Sequence, residues 1–159
     1  MPRRGITIFN QSSHSVPTCR SYNGNLRFDC KASVADTLSL YKTTGNSEFE
    51  CYKDPGCIIV PAGTKGFIDT GLLIEMTEDF YISITAPNEF ILKTGIFISA
   101  MPEMIKFDDD LWRMAVLLVN NTKKDIQVED SEVIALAAFI SNSDSYDANP
   151  LFEKYAATT

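Results

Sequence analysis

Between Cys57 and Ile140 the chain alternates apolar runs a few residues long with compact clusters of turn residues, Pro61-Ala-Gly, Thr77-Glu-Asp, Asn120-Asn-Thr and Glu129-Asp-Ser. A succession of short strands and tight turns at this spacing is the pattern of a β-sandwich or barrel. Ile58-Ile-Val stops at Pro61. Leu72, Ile74 and Met76 alternate with Leu73 and Glu75; Phe80, Ile82 and Ile84 alternate with Tyr81, Ser83 and Thr85. Period-two alternation predicts two half-buried strands, which the three polar residues Thr77–Asp79 would join as a hairpin. Beyond Arg113 the run Met114-Ala-Val-Leu-Leu-Val is apolar on both faces and predicts a central, doubly buried strand. Val133–Ile140 has apolar residues at strand and at helix spacing alike; its all-β surroundings favour a strand.

The flanks say less. Residues 1–25 are rich in Ser, Asn, Gly and Pro and hold one β-like run, Ile6-Thr-Ile-Phe, expected as an N-terminal arm or an extra edge strand. Leu26–Lys31 and Leu38–Tyr41 predict two more strands, with turn chemistry at 43–47 and 53–56. Residues 26–140 then make one domain. In the tail, 141–159, Asn149 before Pro150 predicts a short helix of one or two turns. Asn10-Gln-Ser and Asn120-Asn-Thr fit the glycosylation pattern and are read as chance matches.

Composition narrows the function classes. The chain has 159 residues, net charge −7 and pI near 4.6. With no Lys/Arg cluster it is poorly suited to a phosphate backbone or an anionic membrane, so neither nucleic acid nor membrane is expected as a partner. No apolar run approaches the roughly 20 residues a bilayer needs, and the basic N-terminus lacks the apolar core of a secretory signal. A soluble intracellular protein is expected. Cys19, Cys30, Cys51 and Cys57 show no metal-site spacing and, without secretion, read as free thiols.

Seven segments follow one another in a telling order: Pro61-Ala-Gly63, Thr70-Gly71-Leu72, Ala86-Pro87, Lys93-Thr-Gly-Ile96, Asp108-Asp-Asp-Leu-Trp-Arg113, Val116–Asn121 and Asp130–Leu136. That order resembles the trimeric dUTPase family over residues 57–140. The resemblance implies an all-β, β-barrel-like jelly-roll sandwich that associates as a homotrimer.

It also implies where a site would lie. Registered on Lys93, the family's phosphate-binding Arg-Ser-Gly turn falls on Pro87, Asn88 and Glu89. Registered on Arg113, its activating carboxylate falls on Asp109 and its sugar-stacking tyrosine on Trp112. Its first motif, Ala-Gly-x-Asp-Leu, has only loose echoes at Asp36 or Ser39-Leu40-Tyr41. Hydrolysis of a nucleoside triphosphate needs a base to aim water and donors on the phosphate oxygens, usually with a metal. Proline lacks an N–H and glutamate repels phosphate. Residues 141–159 hold no Gly and no Arg, the ingredients of the family's closing loop; Phe152 reads as a packing anchor. The related dCTP deaminases need a glutamate on the strand at 115–120, which here is Ala-Val-Leu-Leu-Val-Asn. The expectation is a catalytically degenerate, viral-type pseudoenzyme, in host cytoplasm or nucleus if viral, acting as a trimeric protein-interaction or regulatory module for an unknown protein partner, with no cofactor; Asn88, Glu89 and Trp112 are then vestigial pocket positions and Asp109 a remnant base. The alternatives are an active dUTP hydrolase using Mg, or a structural jelly-roll protein.

Overall fold

A computed structural model describes residues 3–14, 17, 19–22, 25–37, 52–54, 56–76, 80–141, 146–147 and 150–154. The strand expected at 38–41, the turn at 43–47 and Cys51 lie outside these. In chain order the strands are β1 (Arg3–Arg4), β2 (Ile6–Asn10), β3 (Cys19–Tyr22), β4 (Asn25–Lys31), β5 (Tyr52–Asp54), β6 (Cys57–Val60), β7 (Lys65–Met76), β8 (Phe80–Thr85), β9 (Phe97–Ile98), β10 (Glu103–Asp108), β11 (Leu111–Val119), β12 (Ile126–Glu129), β13 (Val133–Ser141), β14 (Tyr146–Asp147) and β15 (Leu151–Lys154). Among the described residues, the α-helix α1 (Asn88–Thr94) separates β8 from β9, and residues 34–37 are also helical.

The strands form an all-β jelly-roll sandwich. One large sheet runs β10-β11-β7-β2-β15, with β9 beside the far end of β11; the other runs β3-β4-β13-β8. A smaller sheet, β12-β6-β5, and a parallel pair, β1-β14, complete it. One core joins them: Ile8, Ile74, Met114 and Val116 from the first sheet, Phe28, Ile82, Ile84 and Phe139 from the second, Ile58, Val60 and Val128 from the third. Phe28 stacks on Phe139 at 5.6 Å and meets Phe152 edge-on at 5.7 Å. Burying each such aromatic ring or branched aliphatic side chain is worth about 1.5–3 kcal/mol. No helix among the described residues is long and apolar enough to cross a membrane.

Three expectations need correction. β7 and β8 are not a hairpin: β7 bonds β2 and β11, while β8 bonds β13 in the opposite sheet. Both edges of β7 are taken, so the chain must cross between sheets after Met76. The N-terminal strand β2 is not an edge strand, because β7 flanks it on one side and β15 on the other. Residues 151–154 form that strand, parallel to β2, rather than a helix. The open backbone edge of β2 offers inter-strand hydrogen bonds that outweigh the local Asn-Pro helix signal.

The Thr-Gly pair at 70–71 has a specific task. Met114 pairs with Leu72 but Ala115 with Asp69, so Thr70 and Gly71 are bulged out of β7. Thr70 Oγ1 donates to the Met114 carbonyl at 2.7 Å, and Gly71 takes φ 70°. A Cβ there would stand 2.5 Å from the Ser12 Cβ and 3.0 Å from Asp36 Oδ2. Glycine is required by conformation and by space together. Both glycosylation-pattern asparagines are buried, Asn10 at 4% and Asn120 at 0% exposure.

Candidate functional site

The four positions singled out from the sequence are placed by two elements. Asp109 sits in the turn joining β10 to β11, flanked by Asp108 and Asp110, all exposed. Its backbone N–H donates to Asp108 Oδ1 at 2.7 Å, which tightens the turn. Trp112 lies three residues on, opposite Lys106 on β10 and Ile74 on β7, and is 38% exposed.

Asn88 and Glu89 begin α1, where the family likeness implies a turn. The local reasons for a helix are plain. Pro87 enters in extended conformation, Glu89 places a carboxylate in the first turn and Lys93 a cation in the last, both favourable to the helix dipole. Phe90 and Thr94, four residues apart, bury one face, and Gly95 ends the helix at φ 70° with its N–H on the Ile91 carbonyl. Asn88 and Glu89 are exposed to solvent. Lys93 Nζ donates to Glu132 Oε2 at 2.8 Å, so the one cation of the helix is already engaged.

Within one chain these two groups lie apart. The chain leaving α1 enters β9, whose Phe97 pairs with Val119. Trp112 lies at the opposite end of the same strand β11, roughly 23 Å away at about 3.3 Å per residue. The structure joins none of the four side chains to another.

It brings together a different polar set. Asp69, with 0% exposure, accepts from Arg113 Nη1 at 2.9 Å and from the Gly71 N–H at 2.8 Å. Arg113 Nη2 donates to Gln11 Oε1 at 3.0 Å, and its guanidinium lies 5.2 Å from the centre of the Phe107 ring. Burial pushes the Asp69 carboxyl above the ordinary carboxylate range; Arg113 and the Gly71 N–H oppose this. Asp36, the loose echo of the family's first motif, stands close by, its Oδ2 accepting from Ser33 Oγ at 2.6 Å. Its charge adds to the upward push on Asp69.

A second set links serine, histidine and aspartate. Ser131 Oγ is 2.8 Å from His14 Nδ1, and His14 Nε2 is 3.1 Å from Asp130 Oδ1. Ser131 takes the unusual φ 71°. The spacing invites comparison with a hydrolytic triad. The backbone argues otherwise: the Ser131 N–H donates to the Ala32 carbonyl and the Glu132 N–H to the Glu129 carbonyl, so neither amide flanking the hydroxyl is free to hold an oxyanion. Asp130 Oδ1 also accepts the Val34 N–H at 3.0 Å. The set ties the segment after β2 to the turn before β13.

Beside the end of α1 a cavity of 180 Å³ is lined by Lys93, Thr94, Ile126, Gln127 and Glu129. That falls below the roughly 300 Å³ at which small-molecule pockets begin. Among the described residues no three His, Cys, Asp or Glu side chains are grouped to hold a metal. Cys19, Cys30 and Cys57 are free thiols, the last two buried.

No protein-family model matches the chain, and no curated protein sequence matches it. Solved structures do match its fold. A dUTPase from Streptococcus mutans aligns with TM-score 0.58 at 13% identity, over 87% of this chain and 95% of that one. The dUTPase of Staphylococcus bacteriophage 80alpha, described as controlling transfer of virulence genes, aligns with TM-score 0.57 at 12% identity, over 86% and 89%. A mutant dUTPase from phage phi11 of S. aureus, described with a structural Mg(II) ion, aligns with TM-score 0.56 at 12% identity, over 86% and 90%. The chain therefore has the dUTPase-like fold.

Proposed function

We propose that this chain uses the dUTPase-like jelly roll as a homotrimeric protein-interaction or regulatory module in which the nucleotide chemistry has been lost. One observation carries the reading. Where the family resemblance sets a phosphate-binding turn, the chain enters α1 through Pro87, Asn88 and Glu89, and Glu89 stands exposed in the first turn. Proline supplies no N–H, and a carboxylate at this position repels a phosphate by Coulomb energy. Asn88, Glu89 and Trp112 are then vestigial pocket positions, and Asp109 a remnant of the base. The description of the 80alpha dUTPase supports the regulatory half of the reading, since a protein of this fold is there credited with control of gene transfer.

The competing reading is an active dUTP hydrolase. The exposed carboxylate of Asp109 favours it, because a side chain open to solvent can meet an incoming ligand. Magnesium would then arrive with the nucleotide's phosphates, since among the described residues no side chains are grouped to hold it.

The test is dUTP turnover with magnesium, beside an Asp109→Asn variant, on protein whose mass in solution has been measured. A stable trimer that releases no dUMP, and whose melting temperature does not respond to deoxyuridine nucleotide, is the expected result. Release of dUMP that disappears in Asp109→Asn overturns the module reading and makes Asp109 catalytic.

A further inference from the structure

The large sheet ends on one side in β10, with β9 continuing the same edge beyond a break at residues 99–102. Both strands bond β11 and no further strand among the described residues. Three large apolar side chains stand exposed along it. Phe97 is 64% exposed, Met101 58% and Phe107 37%. An edge strand exposes a row of backbone donors and acceptors, and proteins normally blunt it with charge, proline or a covering element. Here it leads into Asp108-Asp109-Asp110, three exposed carboxylates at the hairpin tip.

The charges select the occupant. Along β10 and the tip stand Glu103, Asp108, Asp109 and Asp110 against a single cation, Lys106. Pairing two copies edge to edge would bring two such acidic stretches together, on chains that each carry net charge −7, and like charges repel. A second copy is therefore disfavoured, and a strand with the opposite charge is favoured.

Building on the interaction-module reading, we infer that the β10 edge is the docking surface, and that it takes an extended basic segment of another protein as an added strand. Main-chain hydrogen bonds along Glu103–Lys106, ahead of the bulge at Phe107, provide affinity. The acidic tip and Glu103 select Lys and Arg, and the exposed Phe107 gives the partner's alternate apolar side chains a surface to lie on.

The test uses a synthetic peptide alternating lysine with valine, and its counterpart alternating glutamate with valine. Binding is followed by fluorescence anisotropy and the site by amide hydrogen exchange. The lysine peptide is expected to bind, to weaken with salt, and to slow exchange within residues 103–108. A Glu103→Lys/Asp110→Lys variant, shown to be folded by its melting curve, should bind it about tenfold more weakly at low salt. Equal binding of the two peptides overturns the inference, as does binding without protection of 103–108. Protection already present in the free chain and lost on dilution overturns it in favour of a second copy. The turnover assay separates this from the parent reading: dUMP release sinks the module proposal, whereas an inactive trimer that ignores the lysine peptide sinks only the docking surface.

Discussion

Replacing Arg113 with alanine tests the physical account of the interior most directly. Asp69 has no solvent exposure, and the side chain of Arg113 has 16%. Removing one partner of a buried ion pair typically costs about 3–5 kcal/mol, because the other charge is left uncompensated. The bond to Gln11 and the contact with the Phe107 ring are lost as well; these losses overlap with the first and are not added to it. Against a domain stability of roughly 5–15 kcal/mol, the change should lower the melting temperature by roughly 10 °C, at about 2–4 °C per kcal/mol for a chain of this size.

The pH dependence carries the sharper signature. Burial already raises the Asp69 carboxyl, and Arg113 opposes that rise. Without the arginine the folded-state value climbs further above the unfolded one. The penalty is then full above the folded pKa, fades as pH falls through it, and vanishes below the unfolded pKa of about 3.9. The stability difference between wild type and Arg113→Ala should therefore shrink from pH 8 to pH 5, by at most ~1.4 kcal/mol per pH unit. Taking the difference cancels the titrations the two proteins share. Adding Asp69→Asn should restore part of the loss at pH 8 and abolish its pH dependence. Urea unfolding of the three proteins at both pH values decides the matter. A loss under about 1 kcal/mol at pH 8, or one that grows towards pH 5, would refute the reasoning.

Gly71→Ala should cost at least about 2 kcal/mol in urea unfolding, from the left-handed backbone and the collision with Ser12 together; a near-neutral result would mean that the segment after β2 yields freely. Asn120→Asp keeps an acceptor for Thr122 but loses the amide that donates to the Val60 carbonyl at 2.8 Å and the Lys124 carbonyl at 2.9 Å, so a loss of about 2–4 kcal/mol is expected by calorimetry. His14→Ala should cost about 1–3 kcal/mol by removing the ties to Asp130 and Ser131. A fluorophosphonate probe should leave Ser131 unmodified in the parent protein, and labelling that required His14 would revive the triad.

Much of the fold could be read from local pattern. The buried run at 114–119 and the alternation at 80–85 each became the strand expected, the first because both of its edges and faces are taken up in the large sheet and its core, the second because side-chain period fixes which face is covered. The errors lie where a non-local backbone edge decided the outcome. Three polar residues after Met76 carry hairpin chemistry, yet β7 had no edge left to offer β8. Asn149-Pro150 carries helix chemistry, yet the edge of β2 captured residues 151–154. The helix at 88–94 differs from both: Phe90, Thr94 and Gly95 signal it locally, and the likeness to a phosphate-binding turn masks that signal. The interior polar sets had no local signal. Arg113 reaches partners 44 and 102 positions away, and His14 meets Asp130 and Ser131 across 116 and 117. Spacing within a motif cannot report contacts of that range.

The pairing of β2 with β15 bears on how the chain acquires its structure. Thr7–Asn10 align with Leu151–Lys154, so nearly the whole sequence separates the two strands. On a ribosome, β2 emerges long before β15 and must wait for it before its outer backbone groups find partners. Pairings of such long range make folding slow, since loop closure precedes the reward. Through that interval Ile6–Asn10 is an open template, exposed to mispairing with a neighbouring nascent chain. A chain stopped before residue 151 would keep β7 on one side of β2 and leave the other unmatched. Such a fragment should populate swapped or aggregated species, with the defect arising during synthesis rather than in the finished fold.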